Sequence, residues 1–299
     1  MKNLLLIIVA LVASTSAYCQ TTEDNYTPLV REGSVWCYFS NRNIDAYKYR
    51  IEGDTIVNDI AYKKILRTGH HEIDDENGDY LDSPYMTTVH GLLREDNKRV
   101  YGRIVDRSNA PIYKMSSDLY DDETQESFLY DFNDLEDFFK YWLEYYRIEY
   151  TDQLVYESTD TCLLVNRKVY EIRRPISHKL IEGIGAYYTK EGDVINHKWR
   201  ISGGAHGHQL VYMKNASGEY EYFNTAKYKQ MLKAQHDVNR DGTVDITDLN
   251  MVINDVLGVE QKAHYYLFGS ITEDNDFDVA DINSVINYIL GLSKTPLEK

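Results

Sequence analysis

A chain of 299 residues, 43% hydrophobic and 27% charged, is long enough for a sizeable core and, at roughly 150 residues per domain, for two domains. Its formal net charge of -16 weighs against nucleic acid or an anionic membrane as partner, since both require a positive surface field. With 27 tyrosines and only 5 prolines, the composition favours strands, where aromatic side chains pack on a pleated face.

Residues 1–20 read as a secretory signal peptide: Lys2 supplies the positive start, residues 4–13 are apolar, and Ser14, Ser16 and Ala17 are small. The apolar run is shorter than the ~20 residues a membrane span needs, and no later segment is apolar enough for a transmembrane helix. A secreted or cell-surface location is expected, with cleavage near Cys19 or Gln20. Lipid anchoring at Cys19 is the alternative, opposed by Tyr18, which stands where a lipidated cysteine would follow a small residue. Cys37 and Cys162 then remain, as one disulfide or as two buried thiols.

Residues 21–230 read as a mainly β region, an antiparallel meander or sandwich. Near-alternating runs at 34–39, 47–51, 62–66, 100–104, 163–172, 209–214 and 220–223 predict strands. Glu52-Gly53-Asp54, Asn77-Gly78-Asp79 and Glu95-Asp96-Asn97 predict turns, and Asn215-Ala216-Ser217-Gly218 a hairpin. Glycines make the phrase Ile181-Glu182-Gly183-Ile184-Gly185 a strand followed by a tight turn. One amphipathic helix interrupts the pattern over 133–150, with Asn133 or Asp134 as N-cap. Its stripe of Leu135, Phe138, Phe139, Trp142, Tyr145 and Tyr146 predicts a core face, with a glycan-stacking platform as the alternative.

Catalytic signals in this region are weak. His70-His71-Glu72 and His206-Gly207-His208 place imidazoles near one another, but neither is a helical H-E-x-x-H, and exposed loop histidines are expected. The acidic run 118–126 reads as a solvated loop, and 48 Asp and Glu residues nominate no pair for glycoside hydrolysis. The chain has no G-x-S-x-G, nucleotide-binding glycine loop or cysteine-nucleophile constellation, so no catalytic residue is assigned. The order EGDTIVND, AYKKIL, GLLREDNKRVY, LYDFN and IEGIGAYY over 33–225 resembles a layout in secreted and surface proteins of Bacteroidetes bacteria. That resemblance implies a secreted β-rich module.

Residues 231–299 carry the sharpest signal. A hard cation such as Ca²⁺ takes six to eight oxygens, and a twelve-residue loop supplies them from positions 1, 3, 5, 7, 9 and 12, with glycine at 6. In 237–248 those positions hold Asp237, Asn239, Asp241, the Thr243 carbonyl, Asp245 and Asp248, with Gly242 at the turn and an apolar-periodic helix from Leu249. Thirty-three residues later the helix repeats: Asn250, Val252, Ile253, Asn254, Leu257 and Gly258 match Asn283, Val285, Ile286, Asn287, Leu290 and Gly291. Each copy has apolar residues at helical spacing and a C-terminal glycine, so two short helices must face one another. Aligning the helices sets Asp281 at position 12 of a degenerate second loop, with Asp278, Asp276 and Asp274 at 9, 7 and 5 but Thr272 and Ser270 at 3 and 1. Calcium is thus expected at the first loop, and the second is open between a weaker site and none.

A loop and helix repeated at this length, with no helix entering the loop, resembles a type I dockerin domain. The resemblance implies docking onto a cohesin-like protein partner, most often in polysaccharide-degrading enzymes. It also assigns partner choice to loop positions 10 and 11, here Ile246, Thr247, Val279 and Ala280. These are more apolar than usual, so packing against the chain's own β region is the alternative. Three functions follow: a non-catalytic secreted protein that docks through its C-terminal module, a dockerin-bearing glycoside hydrolase acting on carbohydrate, or a surface protein whose repeat is only a calcium-stabilised cap.

Overall fold

Residues 26–40, 45–70, 85–104, 126–138, 140, 155–172, 178–190, 207–259, 270–272 and 276–298 are described by a computed structural model. The expected signal peptide, the turn at 77–79, His71, Glu72, His206 and Asp274 lie outside them.

Among the described residues there are thirteen strands: β1 (Val35–Ser40), β2 (Asp45–Val57), β3 (Ile60–His70), β4 (Tyr85–Asp96), β5 (Arg99–Ile104), β6 (Ser127–Asp131), β7 (Val155–Ser158), β8 (Val169–Ile172), β9 (His178–Ile181), β10 (Gly185–Ala186), β11 (Tyr188–Lys190), β12 (Gly207–Lys214) and β13 (Tyr220–Phe223). Three helices follow: α1 (Thr225–His236), α2 (Ile246–Val256) and α3 (Val279–Ile289). The strands form an antiparallel sheet in the order β11-β12-β1-β2-β3-β4-β5-β6, with β13 also on β12, and a second sheet in the order β10-β9-β8-β7. The mainly β region followed by a small helical one is as expected.

Turn chemistry sets the meander. Asn58 and Asp59 both have positive φ (51° and 64°), as do Asn97 and Lys98 (48° and 61°), the backbone of two-residue hairpins whose twist matches the flanking strands. The expected turn at Glu52-Gly53-Asp54 is instead a bulge inside β2, where the register jumps between Ile51 and Asp54. Gly53, at φ 81°, absorbs the extra residue without ending the strand. The run 163–172 shortens to β8, because Asp160 caps the Cys162 amide (2.9 Å) in a local turn and Leu163 makes only an isolated bridge to Tyr222. The hairpin at 215–218 and the tight turn after β9 form as expected.

Alternation along β1 divides the interior. Trp36 and Tyr38 face a large core between the two sheets, with Tyr49, Ile51, Leu180 and Ile181. Cys37 and Phe39 face the other side, a smaller cluster with Val211, Phe223 and Met231 of α1. Two buried polar groups of the large core are paired across it: Trp36 Nε1 donates to the Ile184 carbonyl (2.7 Å) and the Tyr38 hydroxyl to that of Ala186 (2.9 Å). The helix expected at 133–150 begins with Asp134 as its cap, accepting from the Asp137 amide (2.9 Å), and Leu135 and Phe138 join the large core. Its residues 141–150 lie outside the described ones. Neither Cys37 nor Cys162 is in a disulfide.

Three carboxylates strap residues 26–34 across the strand ends. Glu95 accepts from the Tyr26 hydroxyl and from the Leu29 and Val30 amides, and Glu182 from the Thr27 amide. Glu221, on β13, takes both Arg31 (2.7 Å) and Arg167 (3.3 Å). Burial alone would raise the Glu221 pKa, and the two guanidiniums hold it below the usual carboxylate range instead. A lowered folded pKa gives stability that is present above the unfolded value and lost as pH falls through the folded one. Glu221→Ala, which leaves two guanidiniums without their anion, should cost about 3 kcal/mol in urea unfolding at neutral pH, with the deficit shrinking in acid.

Candidate metal centre

The first loop is built from its last carboxylate inward. Asp248, fully buried, accepts the Val238 and Asn239 amides at Oδ1 (2.6 and 3.0 Å) and the Asp245 amide at Oδ2 (2.9 Å), so one side chain closes both ends of the loop. Asp245 in turn accepts from the Thr247 amide (2.7 Å), and the two carboxylates form a capping box at the start of α2. The sequence signal for this capping role is an acidic residue three positions after another, before an apolar run. Helix α2 consequently starts at Ile246, three residues earlier than the apolar periodicity suggests.

Inside the loop, Asn239 accepts from the Asp241 amide (2.9 Å), Asp241 from the Thr243 amide (2.8 Å) and Asp237 Oδ2 from the Gly242 amide (2.9 Å). Gly242 has φ 89° with open space around its α-carbon, so conformation rather than crowding requires glycine there. Among the described residues no three acidic or imidazole side chains converge on a single point. The donor set nevertheless fits a hard dication. Asp237 Oδ1 is buried and has no hydrogen-bond partner, and the Asp237 pKa is raised by burial and by the neighbouring charges of Asp248 and Asp241. Asp237 also ends α1, so its charge lies at the negative end of that helix's dipole. A bound cation would supply the missing partner and neutralise this crowding.

The second loop repeats the framework. Asp281, also fully buried, accepts the Ile271 and Thr272 amides at Oδ1 (2.7 and 3.0 Å) and the Asp278 amide at Oδ2 (3.0 Å). Asp278 caps α3 through the Ala280 amide (2.6 Å), and the two N-cap residues share φ -144°. The departure is at position 3, where the Thr272 hydroxyl donates to Asp281 Oδ1 (3.3 Å) in place of a carboxamide turned inward. Asp276 and Asp278 are exposed on the loop. Both helices end as expected, at Gly258 and Gly291, each with φ 67°. Among the described residues, Val252, Ile271 and Val285 form the buried core between the helices.

Three placements differ from expectation. The first loop has an incoming helix, α1, capped by Asn224 through the Lys227 amide (2.9 Å). Its apolar stripe of Tyr228, Met231 and Ala234 is too short and too diluted by lysine and glutamine for periodicity alone to reveal it. His208 is no loop residue but lies in β12, 1% exposed, its ring 5.1 Å from that of Tyr47, and His70 ends β3. Glu126, expected in a solvated loop, is clamped by the Tyr62 hydroxyl and Arg94 Nε (both 2.6 Å), because sheet formation brings β3 and β4 beneath it. The positions assigned to partner choice do not pack on the β region. Ile246 is 62% and Val279 61% exposed, and Thr247 and Ala280 are exposed beside them.

Residues 235–290 match the family profile described as the dockerin type I domain. No curated protein and no solved structure matches the chain. Dockerin type I domains bind calcium and dock onto cohesin partners. The likeness of 33–225 to Bacteroidetes surface proteins gains no support from these comparisons. No helix among the described residues is long and apolar enough to cross a membrane.

Asp281→Ala strands three backbone amides and breaks the capping box of α3, so it should lower the thermal midpoint with or without calcium, by the equivalent of about 2–4 kcal/mol. Asp237→Asn should behave differently. It relieves a crowded carboxylate, so the metal-free variant should melt no lower than the parent while losing the calcium-dependent rise, about 2.7 kcal/mol at a hundredfold excess over Kd.

Proposed function

We propose that this protein is a secreted or cell-surface, non-catalytic protein whose C-terminal module, from about residue 231, docks onto a cohesin-like partner, displaying the β region of residues 21–230. The observation that carries this reading is the pairing of a dockerin-matching segment with two equivalent apolar side chains, Ile246 and Val279, left in solvent on the first turns of α2 and α3. Exposed apolar residues repeated at equivalent places in a two-helix unit suit a protein interface better than a structural cap, which would bury them. Thr247 and Ala280 complete the same turns.

Calcium holds this face in place through the first loop, where Asp237, Asn239, Asp241, the Thr243 carbonyl, Asp245 and Asp248 are the ligands. In the second loop Asp274, Asp276, Asp278 and Asp281 form a weaker site, since Thr272 already satisfies part of Asp281. Outside the cell, where calcium is plentiful, the ion serves as a permanent structural ligand rather than a signal.

Isothermal titration should find one tight calcium site, removed by Asp237→Ala, and a second that is at least tenfold weaker or silent. Immobilised protein should capture a cohesin module in calcium and release it in EGTA. Replacing Ile246 and Val279 together by arginine should weaken capture at least tenfold while leaving the calcium-dependent melting unchanged. Capture that survives the double substitution would move the interface elsewhere.

A further inference from the structure

Helix α1 packs on the sheet and on the helical repeat at once. Its Met231 is buried against the outer face of the sheet with Cys37, Phe39, Val211 and Phe223, and the Cys37 and Met231 sulfurs are 3.7 Å apart. One turn later its side chains face the helical repeat instead. Gln235 Nε2 donates to the Ile271 carbonyl of the second loop (2.8 Å). His236 stacks on Tyr288 of α3 (4.7 Å between centroids), with Nδ1 2.7 Å from the Leu232 carbonyl and Nε2 3.0 Å from the Ser284 hydroxyl. The next residue is Asp237, whose amide closes the last turn of the helix onto the Lys233 carbonyl (3.0 Å) and whose carboxylate opens the first loop.

We infer that calcium at the first loop clamps α1 onto the β-sheet, so that ion binding and burial of the sheet's outer face are one coupled equilibrium rather than properties of two tethered domains. This rests on the calcium reading above and goes beyond it. Sheet, helix and loop are joined with no linker residues: β13 ends at Phe223, Asn224 caps α1, and α1 ends at the first loop position. An ion that orders Asp237 therefore fixes the end of a helix whose other turns cover Cys37. By reciprocity, packing Met231 on the sheet must strengthen calcium binding.

Cys37 provides the readout. In the full chain with Cys19 and Cys162 replaced by serine, it is the one remaining thiol. Its labelling by a maleimide should accelerate at least tenfold when EGTA removes calcium, with titration calorimetry confirming binding in the same sample. Met231→Ala, which touches no proposed ligand, should weaken calcium binding about fivefold or more, within the usual range of coupled sites. Calcium binding with unchanged Cys37 labelling and an unchanged Met231→Ala affinity would overturn the coupling alone. Absence of calcium binding to the parent chain would overturn the calcium reading and the coupling with it.

Discussion

Two buried carboxylates, Asp248 and Asp281, hold the C-terminal region together. Each accepts backbone amides from the start of its loop and from its own helix N-cap, at distances that agree between the copies within about 0.1 Å. An ionised carboxylate is costly to bury, and it is tolerated here because each oxygen has a donor and the helix dipole points its positive end at the charge. Among the described residues the buried apolar cluster beneath them is Val252, Ile271 and Val285, and these polar networks add to it the closure of each loop onto its helix.

The same residues link the proposed ion site to the proposed interface. Asp245 and Asp248 are loop positions 9 and 12 and also the N-cap and third residue of α2, so Ile246 and Thr247 are held between two side chains that close the loop. In the second copy Val279 and Ala280 stand between Asp278 and Asp281 in the same way. On the proposed function, the partner-facing turn would not rearrange without disturbing the proposed ligand set, a local geometric reason for docking to depend on calcium.

The β region is stabilised by other means. Its large core is rich in tyrosine, and the hydroxyl of Tyr38 is satisfied by a carbonyl of the opposing sheet, which lets an amphipathic ring serve as core. Glu95, Glu182 and Glu221 tie the segment before β1 to strands distant in sequence. Here α1 matters again, because Met231 covers the face of β1 opposite that core.

The sequence by itself determined what depends on spacing along the chain. The spacing of oxygen-bearing side chains in 237–248, the repeat at 33 residues, the glycine helix ends and most strands are local patterns, and local patterns survive in one dimension. The tertiary structure decided what depends on partners far apart in sequence. Gly53 bulges rather than turns because β3 keeps pairing beyond it. Glu126 is clamped rather than solvated because Tyr62 and Arg94 come from other strands. Helix α1, weakly patterned, exists because the sheet on one side and the repeat on the other each bury part of it, and neither surface is present in its own twelve residues.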